Sequence, residues 1–156
     1  MRFDHIVIDA SSLINFFKYY HSFYLINKSD KIIFEGLFEF LIEKIKNREI
    51  IILDKVFDEL KYFKYNQFKK AIKEYVIKTL SIFDKVQELT DKYYIKGNEK
   101  FLNDNKVTIS EEIDKFENKY ADMYLIAYAT QLKEQGNDIL IISEETFSKD
   151  NKLFPK

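Results

Sequence analysis

The apolar positions of this chain follow two different periods, and the change of period marks the elements. Continuous apolar runs stand at residues 5–9 (Ile6, Val7, Ile8), 49–53 (Ile50, Ile51, Ile52) and 138–143 (Ile139, Leu140, Ile141, Ile142). Short runs rich in β-branched residues predict strands covered on both faces. Between them the spacing becomes helical. Leu13, Ile14, Phe16 and Phe17 predict a helix that Ser11 and Ser12 can cap, and Ser29 and Asp30 offer a cap for a longer one. That longer stretch carries Ile33, Leu37, Phe38, Leu41, Ile42 and Ile45 on one side as far as about Arg48. Residues 54–65 and 67–89 read as helices, and 90–105 is the most loop-like part of the chain. Helices resume around Ser110, the strongest pattern running from about 118 to 135 until Gly136 and Asn137 stop it.

Strands separated by helices predict an α/β fold, a parallel sheet flanked by helices on both faces, built as a single domain over 1–156. In such sheets the functional crevice lies beyond the carboxyl ends of the strands. Asp9 closes the first run and Ser143 to Glu145 follow the last, so both are expected on one edge.

Composition narrows the chemistry. The chain has 156 residues, 46% hydrophobic and 33% charged, in the range of a folded globular protein rather than a disordered one. With no cysteine, thiolate metal sites, disulfide scaffolds and cysteine nucleophiles are excluded. No apolar run approaches the ~20 residues of a membrane span, so the expectation is no membrane partner and a cytoplasmic location. A net charge of −1 provides no global basic field. The charge is nonetheless uneven: Lys61, Lys64, Lys69, Lys70, Lys73 and Lys78 stand against Glu74 alone. They read either as a phosphate-contacting patch beside Glu59 or as the solvated face of a helix.

Candidate chemistry rests on four acids at places where a carboxylate is least expected. Asp9 ends an apolar strand, and Glu59 lies in Val56-Phe57-Asp58-Glu59-Leu60, with Asp58 as its alternative. Asp122 shares an i, i+3, i+4, i+7 stripe with Leu125, Ile126 and Ala129, which predicts that it faces the core. Glu145 follows Ile141-Ile142-Ser143. Isolated carboxylates against a core cost several kcal/mol, on the order expected for buried ions, and a divalent cation compensates a cluster of them best. Hard oxygen ligands select magnesium or manganese. The bland reading of each is local: a turn or cap aspartate for Asp9, a helix-start acid for Asp122, a solvent-edge glutamate for Glu59, and a turn cap for Ser143. Neither His5 nor His21 suggests a serine–histidine triad, and there is no glycine-rich phosphate loop. A phosphoryl-transfer site of the haloacid-dehalogenase type would need an aspartate two residues after Asp9, where Ser11 stands.

Taken in order, Ile6-Val7-Ile8-Asp9-Ala10-Ser11-Ser12-Leu13-Ile14, Val56-Phe57-Asp58-Glu59-Leu60, Ala121-Asp122-Met123-Tyr124-Leu125-Ile126-Ala127 and Ile141-Ile142-Ser143-Glu144-Glu145 resemble the motifs of the PIN domain. They are most similar to a PIN-like group whose third motif reads Ala-Asp-x-x-Leu-Ile-Ala and whose fourth reads Thr-x-Glu. The resemblance implies a three-layer α/β fold, here lacking its last strand, and a metal-dependent ribonuclease. By it Asp9, Glu59, Asp122 and Glu145 form the acidic quartet and ligate Mg2+ or Mn2+, with Ser11 and Ser143 in support. Glu145 departs from the aspartate that most of the family has there. RNA is the implied substrate, with Lys61, Lys64, Lys69 and Lys70 as contacts. An antitoxin protein and a homodimer are implied partners, because many family members are toxins of toxin–antitoxin pairs. The alternative is a catalytically weak PIN-like module that binds RNA or protein.

Overall fold

A computed structural model describes residues 3–26, 31–62, 66–95 and 121–144. Three strands form one parallel sheet in the order β2-β1-β3: β1 is His5–Ile8, β2 Ile50–Ile51 and β3 Ile139–Ile142. Val7 sits opposite Ile51 on one side and Ile141 on the other, so β1 is the central strand. The expected parallel α/β class is observed.

Two helices, α1 (Ala10–Ile26) and α2 (Lys31–Lys46), connect β1 to β2. After β2 come α3 (Asp54–Glu59), α4 (Asn66–Ile72) and α5 (Phe83–Leu89), and α6 (Asp122–Glu134) leads into β3. The first crossover leaves β1 in one direction; the second returns past β1 to its other side. α1 packs on α2 and α2 on β2, while α6 packs on β3 and β1. The reversal also makes the carboxyl end of β1, beside that of β3, the switch point of the sheet.

Both strands that flank β1 are entered through the same helix-ending turn. After α6, Gly136 (φ 89) donates its N–H to Lys133 O at 3.0 Å and Asn137 donates to Leu132 O at 3.2 Å. After α2, Arg48 donates to Ile45 O at 3.1 Å and Glu49 to Lys44 O at 3.0 Å, with Arg48 at φ 63. These paired bonds define a Schellman motif, whose left-handed position favours glycine. Arg48 takes it without being one. Its carbonyl is held by His5 Nδ1 at 2.8 Å, and the turn is bridged by Lys44 Nζ and Glu49 Oε2 at 2.6 Å.

The core gathers Val7, Leu13, Phe17, Ile52, Val56, Phe68, Ile72, Val86 and Ala127, all 0–2% exposed. Phe17 of α1, Phe38 of α2 and Phe68 of α4 form a triangle with ring centroids 4.7, 5.5 and 6.0 Å apart. Edge-on aromatic pairs add ~0.5–1.5 kcal/mol each beyond area burial, so the triangle locks the three helices together. On the other side Lys85 of α5 reaches Glu134 of α6 at 2.8 Å.

Three expectations need correction. Residues 67–89 are not one helix: α4 ends at Ile72, short 3-10 turns follow at Lys73–Tyr75 and Leu80–Ile82, and α5 starts at Phe83. The break comes from the β-branched pair Val76-Ile77. Ile77 pairs in parallel with Leu53, exchanging bonds with Ile52 O and Asp54 N at 2.9 Å each. Asp54 then clamps the buried Thr79 through its hydroxyl at 2.6 Å and its N–H at 3.2 Å. Residues 90–95 are not loop but a π-helical turn, Thr90–Ile95, continuous with α5. Finally, Ser11 and Ser12 do not cap α1; they lie in its first turn, and the cap is Asp9. The Ser29–Asp30 cap, residues 96–105 and the helix expected near Ser110 lie outside the described residues. No helix among those described is long and apolar enough to cross a membrane.

Candidate acidic site at the carboxyl edge of the sheet

Asp9 follows β1 directly and is 6% exposed. Its Oδ1 accepts the N–H of Ser12 at 2.6 Å, a side-chain cap on the first turn of α1. Its Oδ2 accepts the N–H of Glu144 at 3.2 Å, and its own N–H donates to Ile142 O at 3.1 Å. The carboxylate thus joins the start of the first crossover to the end of the second. Two N–H donors compensate much of its burial, and each oxygen keeps a further lone pair. The bland reading of Asp9 as a cap is therefore right, and it coexists with a place at the switch point.

Of the two serines that follow Asp9, Ser12 is the one buried beside it. Ser11, expected to support the site, is exposed, whereas Ser12 is 6% exposed and its Oγ has no hydrogen-bond partner among the described residues. Helical geometry tells the two apart, since the N3 position returns under a cap residue while N2 turns outward.

Glu59 closes α3 and accepts the N–H of Ala121 at 3.3 Å through Oε1. The side chain as a whole is solvent-accessible, but its carboxyl end is crowded. Partial burial pushes its pKa above the ordinary 4.5, the Ala121 N–H opposes this, and the negative charges of Asp122 and then Asp9 raise it further. Carboxylates from the end of β1 and the start of α6 therefore both act on the one at the end of α3. Asp58, the alternative to Glu59, points elsewhere and lines a separate groove.

Asp122 opens α6, where the helix dipole favours a negative charge. It does not face the core. Met123, Tyr124, Leu125, Ala127 and Ala129 are buried, while Asp122 is exposed and Ile126 is 45% exposed. The buried stripe is rotated from the expected one, because Ile126 turns to an apolar hollow of ≈ 440 Å³ shared with Ala129, Ile139 and Ile141. This rotation frees Asp122 to meet Glu59. Ser143 is exposed just after β3, and Glu145 lies outside the described residues.

Of the expected phosphate contacts, Lys61, Lys69 and Lys70 line the groove that Asp58 borders, together with Lys73. Lys64 lies outside the described residues.

Asp9, Glu59 and Asp122 offer hard oxygen donors suited to magnesium or manganese, and the orphaned hydroxyl of Ser12 belongs to the residue that Asp9 caps. Among the described residues no group of three or more Asp, Glu or His side chains is arranged to hold an ion outright. The fit rests on donor chemistry and on the mutual repulsion that a dication would relieve.

No curated protein and no solved structure matches the chain. A family model described as a domain of unknown function (DUF4411) matches residues 6–155. The chain, covered by that match almost from end to end, belongs to this family.

Proposed function

We propose that this chain is a divalent-metal-dependent endoribonuclease of the PIN type, hydrolysing phosphodiester bonds of RNA. The observation that carries the reading is the Glu59–Ala121 hydrogen bond at 3.3 Å, which brings the Glu59 carboxylate to the residue before Asp122, where the charges of Asp122 and Asp9 both act on it. Acids distant in sequence thus approach the switch point of a parallel sheet, where ligands of such folds bind. A structural role explains Asp9 as a cap, but it does not explain Glu59 and Asp122 set against each other.

Asp9, Glu59 and Asp122 would hold the ion, which supplies Lewis acidity toward a phosphoryl oxygen. Asp9 is the anchoring ligand, its orientation set by the N–H groups of Ser12 and Glu144. A carboxylate oxygen of this set left free by the ion would accept the proton of an attacking water. The Ser12 hydroxyl, buried and unpaired among the described residues, orients that water or a phosphate oxygen.

The test is direct. Purified chain with magnesium or manganese should cut single-stranded RNA, and Asp9→Asn or Asp122→Asn should abolish the cutting. Metal-stimulated cleavage that survives both substitutions overturns the assignment.

A further inference from the structure

We infer that the lysine-lined groove on the flank of α3 is a docking track for the phosphodiester backbone of single-stranded RNA, outside the acidic site. The groove measures ≈ 380 Å³ and is lined by Lys61, Lys69, Lys70 and Lys73, with Phe57 and Asp58 on the α3 side. Four ammonium groups converge there against one carboxylate. They come from three elements: Lys61 from the 3-10 turn Leu60–Tyr62, Lys69 and Lys70 from α4, and Lys73 from the turn after it.

A merely solvated lysine face disperses its charges or pairs them. Three lysines elsewhere do pair: Lys44 with Glu49 at 2.6 Å, Lys85 with Glu134 at 2.8 Å, Lys133 with Asp138 at 2.9 Å. Among the described residues Lys69, Lys70 and Lys73 form no ion pair. Lys69 Nζ instead donates to Leu60 O at 3.3 Å, which fixes its ammonium at the floor of the groove. Lys69 and Lys73 are one helical turn apart, a spacing at which like charges repel and helix stability suffers. An anion lying between them removes that repulsion.

The occupant follows from shape and neighbourhood. The groove is of small-ligand size, with an aromatic ring on one wall, as in single-strand channels that combine a basic track with a stacking platform. Asp58 and Leu60 line it while Glu59, between them, turns to the acids. Successive helical residues point about 100° apart, so Phe57, Asp58, Leu60 and Lys61 centre the track on the flank of α3 opposite Glu59, and the strand is held there apart from the acids. This role rests on the ribonuclease reading.

The experiment measures binding by fluorescence anisotropy of a labelled single-stranded oligoribonucleotide, in EDTA, across a range of KCl. The full chain is compared with Lys69→Ala/Lys70→Ala/Lys73→Ala, with the matching triple Arg variant, and with Lys133→Ala. Each phosphate contact on a single strand contributes a slope of ~0.7 in log K against log salt. The triple Ala variant should therefore lose at least ~10-fold in affinity and ~2 in slope, while the Arg variant and Lys133→Ala retain both. Unchanged affinity and slope in a folded triple Ala variant overturn the track. So does a poly-glutamate peptide that competes as well as RNA, which would make the groove a site for an acidic protein partner. Asp9→Asn separates the two proposals, since it should bind RNA fully and cut none. Lysine-dependent binding by a wild-type chain that never cuts keeps the track and removes the nuclease. Cutting with lysine-independent binding does the reverse.

Discussion

The carboxylate of Glu59 accepts the backbone N–H of Ala121 at 3.3 Å, linking the last residue of α3 to the residue that precedes Asp122. This bond turns a helix end into part of a site. It draws the start of α6 toward α3 although the two are far apart in the chain, and it sets two carboxylates against each other.

Glu59 binds its proton more tightly in the folded chain than in the unfolded one. Its protonation therefore favours folding fully below the ordinary value of 4.5, and that advantage disappears as pH rises through the raised value. Near neutral pH, charged Glu59 destabilises the fold. Glu59→Gln keeps an oxygen for Ala121 and removes the charge, so thermal unfolding at pH 7 should show a higher Tm, by less than the ~2–4 °C that ~1 kcal/mol makes in a chain of this length, because solvent screens the exposed side chain. At pH 4 the gain should vanish. A gain that grows in acid would contradict burial and carboxylate repulsion as the cause.

Asp9 carries two bonds with different partners, which two substitutions separate. Asp9→Ala loses the cap on α1 and the tether to Glu144, and urea denaturation should register a loss of ~2 kcal/mol. Asp9→Asn keeps an oxygen for Ser12 but turns an amide donor toward the Glu144 N–H. Its loss should be smaller, ~1 kcal/mol, leaving a folded protein for activity measurements. Equal losses would mean that the cap contributes nothing.

The two Schellman turns predict opposite responses at equivalent positions. Arg48 holds φ 63 with a side chain that disfavours it, so Arg48→Gly should stabilise by ~0.5–1 kcal/mol. Gly136 holds φ 89 with nothing within 4 Å of where a Cβ would lie. Gly136→Ala should therefore destabilise by ~1 kcal/mol through backbone strain alone. Chemical denaturation of both variants decides the matter.

Phe68 is fully buried and meets both Phe17 and Phe38. Phe68→Ala should cost ~3–5 kcal/mol by denaturant titration, and Phe38→Ala less, because Phe38 is only half-buried. A smaller loss for Phe68 would place the centre of the core elsewhere.

Much of this architecture is legible in the chain. Ile50-Ile51-Ile52 announces a doubly covered strand and Ile139 to Ile142 a strand whose end stays exposed, and Gly136-Asn137 announces the end of α6. What escaped has particular causes. Arg48 carries no signal for a left-handed turn, because His5 and the Lys44–Glu49 pair hold it from outside the local sequence. Val76-Ile77 fits a helical pattern equally well, and only the bridge to Leu53 and the Asp54 clamp on Thr79 make it extended. At the site, Asp9 was identifiable from its place at a strand end. The rotation of Asp122 away from the core was not, since the hollow beside Ile126 exists only once β3 is in place.

Titration of Mn2+ into the chain, followed by the electron paramagnetic resonance signal of the free ion, tests most directly whether Asp9, Glu59 and Asp122 together take up a dication. Saturable uptake is expected for the wild type, and at least ~10-fold weaker uptake for Asp122→Asn and Glu59→Gln, as removal of a ligand should produce. Absence of uptake by the folded wild type, or equal uptake by all three proteins, would contradict a shared metal site.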